Sequence, residues 1–248
     1  MQKLDVLAIA AHPDDTELCC SGTLAVLALQ GRNVGVADLT KGEMGTRGTP
    51  ESRVEEATEA ARILGLAMRE NLGLPDTRLD NTPENREAII RIVRTWRPDI
   101  CLINSPDDRH PDHRNASRLT IDALFYSGLK KIVTTGDDGK EQEPWRPHHI
   151  LHYMQDKTFE PSLVFDISDT MHLKEKAILA FKSQFNVADN DPGPKTYISG
   201  NRFFEMIKGR ARHYGHMIGA EFGEPFLYYN GPLPFSDFDL LLNTRPKR

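Results

Sequence analysis

The run Leu4-Asp5-Val6-Leu7-Ala8-Ile9-Ala10 is apolar at nearly every position, the pattern of a strand buried on both faces of a sheet. The segment from Thr16 to Gln30 then reads as a helix. Gly31-Arg32-Asn33 makes a turn, and Val34 to Leu39 gives a second strand. Glu51 to Leu64 carries Ala57, Ala60, Ala61 and Leu64 at helical spacing, and Met68 to Leu72 is a weaker strand. Thr82-Pro83-Glu84 opens a helix by the cap-then-proline signal, with Ile89, Ile90, Val93 and Trp96 as its buried stripe and Arg97-Pro98 as its end. Asp99-Ile100-Cys101-Leu102-Ile103-Asn104 is again strongly apolar and reads as a strand, followed by a helix that runs to about Leu129.

This alternation of strand and helix predicts an α/β chain with a three-layer, Rossmann-like fold, a mainly parallel sheet and right-handed crossovers. Lys131 to Pro147 is polar and reads as a surface excursion. Ile150 to Met154 and Leu163 to Ile167 are expected strands, and Asp169 or Thr170 caps a helix from Met171 to about Phe185. Asn190-Asp191-Pro192-Gly193-Pro194 is a turn, Arg202 to Ile218 a helix, and the aromatic, proline-rich end gives no element. There is no internal repeat, so residues 1–248 are expected to form a single domain.

Composition narrows the class. Charged residues make up 27% and hydrophobic ones 39%, which leaves no extended disordered tract. No stretch approaches the roughly 20 apolar residues of a membrane span, and no basic region with an apolar signal core precedes the first strand, so the cytoplasm is expected. The net charge of -5 gives no general attraction to nucleic acid or anionic lipid. Cys19, Cys20 and Cys101 form neither a disulfide framework nor a metal motif and read as small core residues.

Both strongly apolar strands run into reactive groups. Ala11-His12-Pro13-Asp14-Asp15 follows the first, and Ser105-Pro106-Asp107-Asp108-Arg109-His110-Pro111-Asp112-His113-Arg114-Asn115 follows the other. Turns at the carboxyl ends of parallel strands line the ligand crevice of such folds, so the two segments can face one site. Neutral imidazoles plus one carboxylate, with water in the remaining position, form a common catalytic zinc set. Asp14 and Asp15 are adjacent, so their side chains diverge, and one can hold the metal while the other addresses the bound water. His110 suits oxyanion stabilisation or proton donation to the leaving amine, and Asp112 either orients His110 or caps a helix. Arg53 falls in the first turn of a helix, where a cation opposes the dipole, and an anionic ligand would give it a reason to be there. Arginines beside a metal crevice suit a carboxylate-bearing substrate.

With Ala-His-Pro-Asp-Asp at residues 11 to 15 and His-Pro-Asp-His at 110 to 113, the chain resembles the LmbE/PIG-L family of zinc-dependent N-acetylglucosaminyl deacetylases. The similarity continues through the loop from Thr40 to Thr49 and Arg53, through Glu70-Asn71-Leu72-Gly73-Leu74-Pro75-Asp76, and into Gly223-Glu224-Pro225-Phe226. These segments resemble the bacillithiol-biosynthesis branch, whose substrate is N-acetylglucosaminyl malate. The resemblance implies that His12, Asp15 and His113 bind zinc, that Asp14 is the general base, and that His110 is its electrostatic or acid partner with Asp112 behind it. It further implies that Arg53 and Arg109 contact the polar substrate and that Tyr197 assists at the oxyanion. The family contains hexamers, so the resemblance also implies a homo-oligomer.

Two histidines and one carboxylate also describe the facial triad of non-haem iron oxygenases, and a set of this kind binds several divalent ions, Fe2+ among them. A binding module without catalysis would keep the ligands but have no use for Asp14. Neither phosphate-cradling glycine motif follows the first strand, which argues against nucleotide binding. His148, His149, His152, His213 and His216 read as structural or surface residues.

Overall fold

A computed structural model describes residues 3–185 and 193–232. The expected turn at 190–194 lies largely outside these residues, and the chain end from residue 233 lies wholly outside them. Among the described residues, seven strands form one sheet: β1 (Val6–Ala10), β2 (Val34–Asp38), β3 (Met68–Asn71), β4 (Ile100–Ile103), β5 (His149–Tyr153), β6 (Leu163–Asp166) and β7 (Gly223–Tyr228). Their order is β3-β2-β1-β4-β5-β7-β6. The first five strands pair in parallel, with Val6 of β1 level with Val34 on one side and Ile100 on the other. The chain winds outward from β1 in both directions, so the crevice beyond the carboxyl ends of β1 and β4 is the switch point where such sheets bind ligands. This brings the two reactive segments side by side.

The helices that follow β2, β3 and β4 form where the sequence pattern places them. In α3 (Pro50–Leu64) Thr49 and Ser52 make a reciprocal capping box and Gly65 ends the helix in the left-handed region. In α4 (Pro83–Trp96) the Thr82 side chain accepts from the Asn85 amide, and Ile89, Ile90, Ile92 and Val93 are buried. Together with α5 (Pro111–Ser127), α4 covers one face of the sheet over Leu7, Ile9, Ala37, Cys101 and Ile103. Val6, Ala8, Val36 and Leu102 point to the other face, where α3 packs with α6 (Met171–Ala180). The final helix, α7 (Asn201–Met217), lies against β6 and β7. The three-layer α/β architecture is as expected. All three cysteines are buried and free, and no described helix is long and apolar enough to cross a membrane.

The helix expected from Thr16 to Gln30 is two helices, α1 (Asp15–Cys19) and α2 (Ser21–Leu29), parted at Cys20 with φ -140° and ψ 7°. The cause is a pair of charges from the far end of the chain. The Glu224 carboxylate accepts the Gly22 and Thr23 amides at 3.0 and 2.7 Å, serving the start of α2. Lys174 Nζ donates to the Glu17 and Leu18 carbonyls, both at 3.0 Å, at the end of α1. The two charges meet at 2.7 Å with side chains almost fully buried. Tertiary partners thus satisfy the backbone groups that the break would orphan.

The sequence pattern also extends α6 to Phe185, whereas the helix ends at Ala180, and it gives no element at β7. This strand runs antiparallel to both β5 and β6. Gly223 and Pro225 hide its strand character, since Pro225 cannot donate to a ladder and glycine packs no side chain.

Replacing Lys174 by Met strands the buried Glu224 carboxylate and is expected to destabilise the protein by about 3 kcal/mol, within the usual range for breaking one side of a buried pair. The midpoint of chemical denaturation measures this, and an unshifted midpoint would show that the pair does not hold the break together.

Candidate active site

Five loops at the carboxyl ends of parallel strands converge on one cavity of about 210 Å³. The turn after β1 supplies His12, Asp14 and Asp15, and the turn after β4 supplies Arg109, His110 and His113. Gly42, Met44 and Gly45 come from the loop after β2, Asp76 and Thr77 from that after β3, and Gln155 and Asp156 from that after β5.

Asp15 stands at the centre. Its Oδ1 lies 3.1 Å from His113 Nε2, and its Oδ2 lies 3.8 Å from His12 Nδ1. The His12 amide and the Asn104 side chain, each at 3.1 Å, and Gln155 Nε2 at 3.3 Å donate to the same carboxylate. Each outer imidazole is backed by carboxylates on its far nitrogen. His113 Nδ1 meets Asp108 Oδ2 at 2.6 Å, while His12 Nε2 meets Asp76 Oδ1 at 3.2 Å and Asp112 Oδ2 at 3.3 Å. Such outer carboxylates fix ring orientation and raise the basicity of metal-binding histidines. The ring of His110 lies 4.9 Å from each of the other two, so His12, His110 and His113 offer nitrogens that converge on a small volume.

The electrostatics suit a cation. Burial opposes charge on His12, but hydrogen bonds to Asp112 and Asp76 and the charge of Asp15 push its pKa up to about 10. Burial likewise opposes charge on His113, and Asp15 and Asp108 carry it up to about 9. Burial also opposes the Asp15 carboxylate, yet the two histidines hold its pKa far below the usual range. A metal would displace these protons from the imidazoles, and the cage of carboxylates that attracts the protons would attract the cation in their place. The donor set of imidazole and carboxylate therefore fits a metal.

Asp14 is different. Burial raises its pKa to about 7 while Arg53 beside it pulls the other way. Its backbone has φ 119° and ψ -23°, a conformation that costs a non-glycine residue about 1–3 kcal/mol and that gathers at functional sites. Arg53 is buried in the cavity wall with Nη2 3.1 Å from Asp14 Oδ2. This partner resolves the odd placement of a cation in the first turn of α3.

His110 caps α5, its Nδ1 accepting the Asp112 amide at 3.2 Å, so the neutral ring carries its proton on Nε2. Burial and the charges of His12 and His113 lower its pKa. The Asp112 carboxylate does not stand behind His110 as the sequence suggested. It turns to His12 and to the Thr77 amide at 3.0 Å, because residues 110 and 112 already meet through the backbone at the helix start. At the rim, Arg109 Nε lies 2.9 Å and the Tyr197 hydroxyl 3.0 Å from Asp156, and Arg109 stacks over the Tyr197 ring at 4.6 Å. His152 is buried with Nδ1 2.6 Å from the Asn104 carbonyl, away from the cage, as a structural histidine.

Sequence reasoning missed the backing roles of Asp76 and Asp108 and the anchoring of Asp15 by Asn104 and Gln155. Asp76 and Asp108 stood within segments already singled out, and Asn104 and Gln155 lie just past strand ends, which is the signal that could have found them.

The chain matches the sequence profile of the GlcNAc-PI de-N-acetylase (PIG-L) family over residues 7–124. It is 35% identical over 240 residues to a diacetylchitobiose deacetylase of Thermococcus kodakarensis, covering 91% of this chain and 83% of that one. The chain belongs to the PIG-L family of N-deacetylases. PIG-L deacetylases are generally metal-dependent, in keeping with the converging nitrogens of His12, His110 and His113. Among solved structures, a conserved protein of Thermus thermophilus superposes with a TM-score of 0.82 at 39% identity, covering 95% of this chain and 99% of that one. The N,N'-diacetylchitobiose deacetylase of Pyrococcus horikoshii, solved with an inhibitor, gives 0.76 at 30% identity, covering 94% and 88%. The PIG-L profile spans every cage residue from His12 to His113 but stops short of Gln155, Asp156 and Tyr197.

Replacing Asp108 by Asn removes the carboxylate behind His113 and is expected to weaken divalent-metal affinity by about 10–100-fold. Competition against a chromophoric chelator measures the loss, with circular dichroism to confirm the fold.

Proposed function

We propose that this protein is a zinc-dependent deacetylase that frees the amine of an N-acetylglucosamine derivative, and that the derivative bears a carboxylate, as N-acetylglucosaminyl malate of bacillithiol biosynthesis does. The observation that carries the reading is the convergence of Asp14 and the three histidines in a cavity that Arg53 and Arg109 also line. Guanidinium groups there suit a carboxylate, which they can bind with two hydrogen bonds. The likeness of the segments at Thr40 to Thr49 and Glu70 to Asp76 to the bacillithiol branch supports the same choice.

In this reading His12, Asp15 and His113 hold the zinc ion, which would supply Lewis acidity toward water and the amide oxygen. Asp14 takes the proton of the attacking water, which its raised pKa equips it to do near neutral pH. His110, neutral with its proton on Nε2, donates a hydrogen bond to the amide oxygen as charge develops there, and Asp14 passes the proton it took from water to the leaving nitrogen. Water and amide become acetate and free amine. Tyr197 sits exposed at the rim with its hydroxyl on Asp156, so an oxyanion role requires that bond to be exchanged for one to substrate. Arg109 must likewise trade Asp156 for the substrate.

A second reading, deacetylation of an uncharged chitooligosaccharide, draws on the diacetylchitobiose deacetylases among the relatives and on the pairing of Arg109 with Asp156. Zinc-loaded protein incubated with N-acetylglucosaminyl malate, diacetylchitobiose and N-acetylglucosamine, following acetate and amine, separates the two. Preference for the malate glycoside is expected. Preference for the chitooligosaccharide would move the assignment to the second reading, and release from none of the amides would overturn both. Asp14→Asn is expected to lower turnover about 10²–10⁴-fold at unchanged metal content.

A further inference from the structure

We propose that Arg53 is a positioning residue for the general base: it clamps the Pro13-Asp14 turn and keeps the Asp14 carboxylate out of the helix cap and in the cavity. This rests on the reading of Asp14 as the base.

Asp14 occupies the cap position of α1, where a carboxylate ordinarily has extended backbone and accepts an amide two or three residues on. Here it has φ 119° and makes no side-chain cap bond. Without such a bond something else must hold the strained turn. Arg53 Nη2 donates to the Pro13 carbonyl and forms an ion pair with the Asp14 carboxylate at 3.1 Å, so one group grips the backbone before the strained residue and that residue's own side chain.

Arg53 also has no local role in α3. That helix is already capped by Thr49 and Ser52, and a cation in its first turn opposes the dipole. Its Nε is buried without a partner, so the guanidinium is placed for its Nη2 contacts and not to satisfy its own donors. The loop after β2 is shaped around it. Gly42 has φ +64°, and a Cβ there would lie 3.2 Å from Arg53 Cζ, tighter than side-chain contacts normally allow. The positive φ favours glycine at this position, and an added Cβ would press on the guanidinium.

Losing the clamp lets residue 14 relax toward extended backbone and lets its carboxylate take the Thr16 and Glu17 amides, away from the cavity. Such a displacement of a reacting group costs about 100-fold in turnover.

The test uses zinc-loaded wild type, Arg53→Ala and Arg53→Lys, with N-acetylglucosamine and diacetylchitobiose as substrates that lack a carboxylate. The expected result for Arg53→Ala is kcat lower by about 100-fold with KM little changed, since the base and not substrate affinity is affected. Added guanidinium ion is expected to restore part of kcat, and Arg53→Lys to fall between. A rise in KM at unchanged kcat on these substrates would overturn the proposal and leave Arg53 a substrate ligand only.

The crystal structure of the variant gives an answer that needs no turnover. Asp14 is expected to show negative φ with its carboxylate on the α1 amides, and an unchanged turn would overturn the proposal. If Arg53→Ala does not fold, the same two readouts on Arg53→Lys decide. Wild-type inactivity on every amide would sink the deacetylase reading, whereas an active wild type with an unaltered kcat and Asp14 turn in the variants would sink the clamp alone.

Discussion

Buried negative charge at one end of the sheet is the constraint that the site must satisfy. Asp14, Asp15, Asp76, Asp108 and Asp112 are each less than a tenth exposed, and they crowd around His12, His113 and Arg53. Unpaired, such carboxylates would be prohibitively costly to bury. The parallel strands resolve this by bringing donors from separate loops to the same point, so Asp15 alone collects hydrogen bonds from His12, Asn104 and Gln155 and an ion pair with His113. The same surplus of negative charge makes the cage a ligand for cations. Binding chemistry and fold economy are one arrangement seen from two sides.

A second set of buried charges secures the element that carries the site. Helix α1 has only five residues and is far too short to persist alone. Its Glu17 is bonded to Arg69 at 2.6 Å, and Arg69 in turn holds Asp38 at the end of β2 at 2.8 Å. Lys174 takes the carbonyls at its far end. Asp14 and Asp15 thus sit at the start of a short helix anchored by an ion pair to β3 and by hydrogen bonds from α6, in place of helical length. Rigidity of this kind suits groups that must meet a substrate within a fraction of an ångström.

Much of this was legible in the sequence because hydrophobic periodicity and capping report local structure. The apolar runs at β1 and β4 located the two reactive segments, and Thr82-Pro83 placed the start of α4. Long-range charge was not legible. Nothing local to Cys20 announces a helix break, since the break depends on Glu224 and Lys174, more than 150 residues away. Nor does the sequence distinguish whether Asp112 faces His110, two residues off, or His12, a hundred residues off. Strand β7 escaped notice because a glycine and a proline mask a strand that its neighbours stabilise on both edges. Periodicity finds elements; which carboxylate meets which histidine is decided by topology.

The antiparallel insertion of β7 between β5 and β6 has a consequence for biosynthesis. A nascent chain that has emerged only as far as α7 holds every reactive residue of the cage, yet β5 and β6 lack the strand that joins them. Glu224, which serves the start of α2, is also still inside the ribosome at that stage. The turn bearing Asp14 and Asp15 is thus made before the residues that secure the helix it opens. Translation therefore delivers the cage before its support, and a cation would meet a finished site only once β7 has joined β5 to β6.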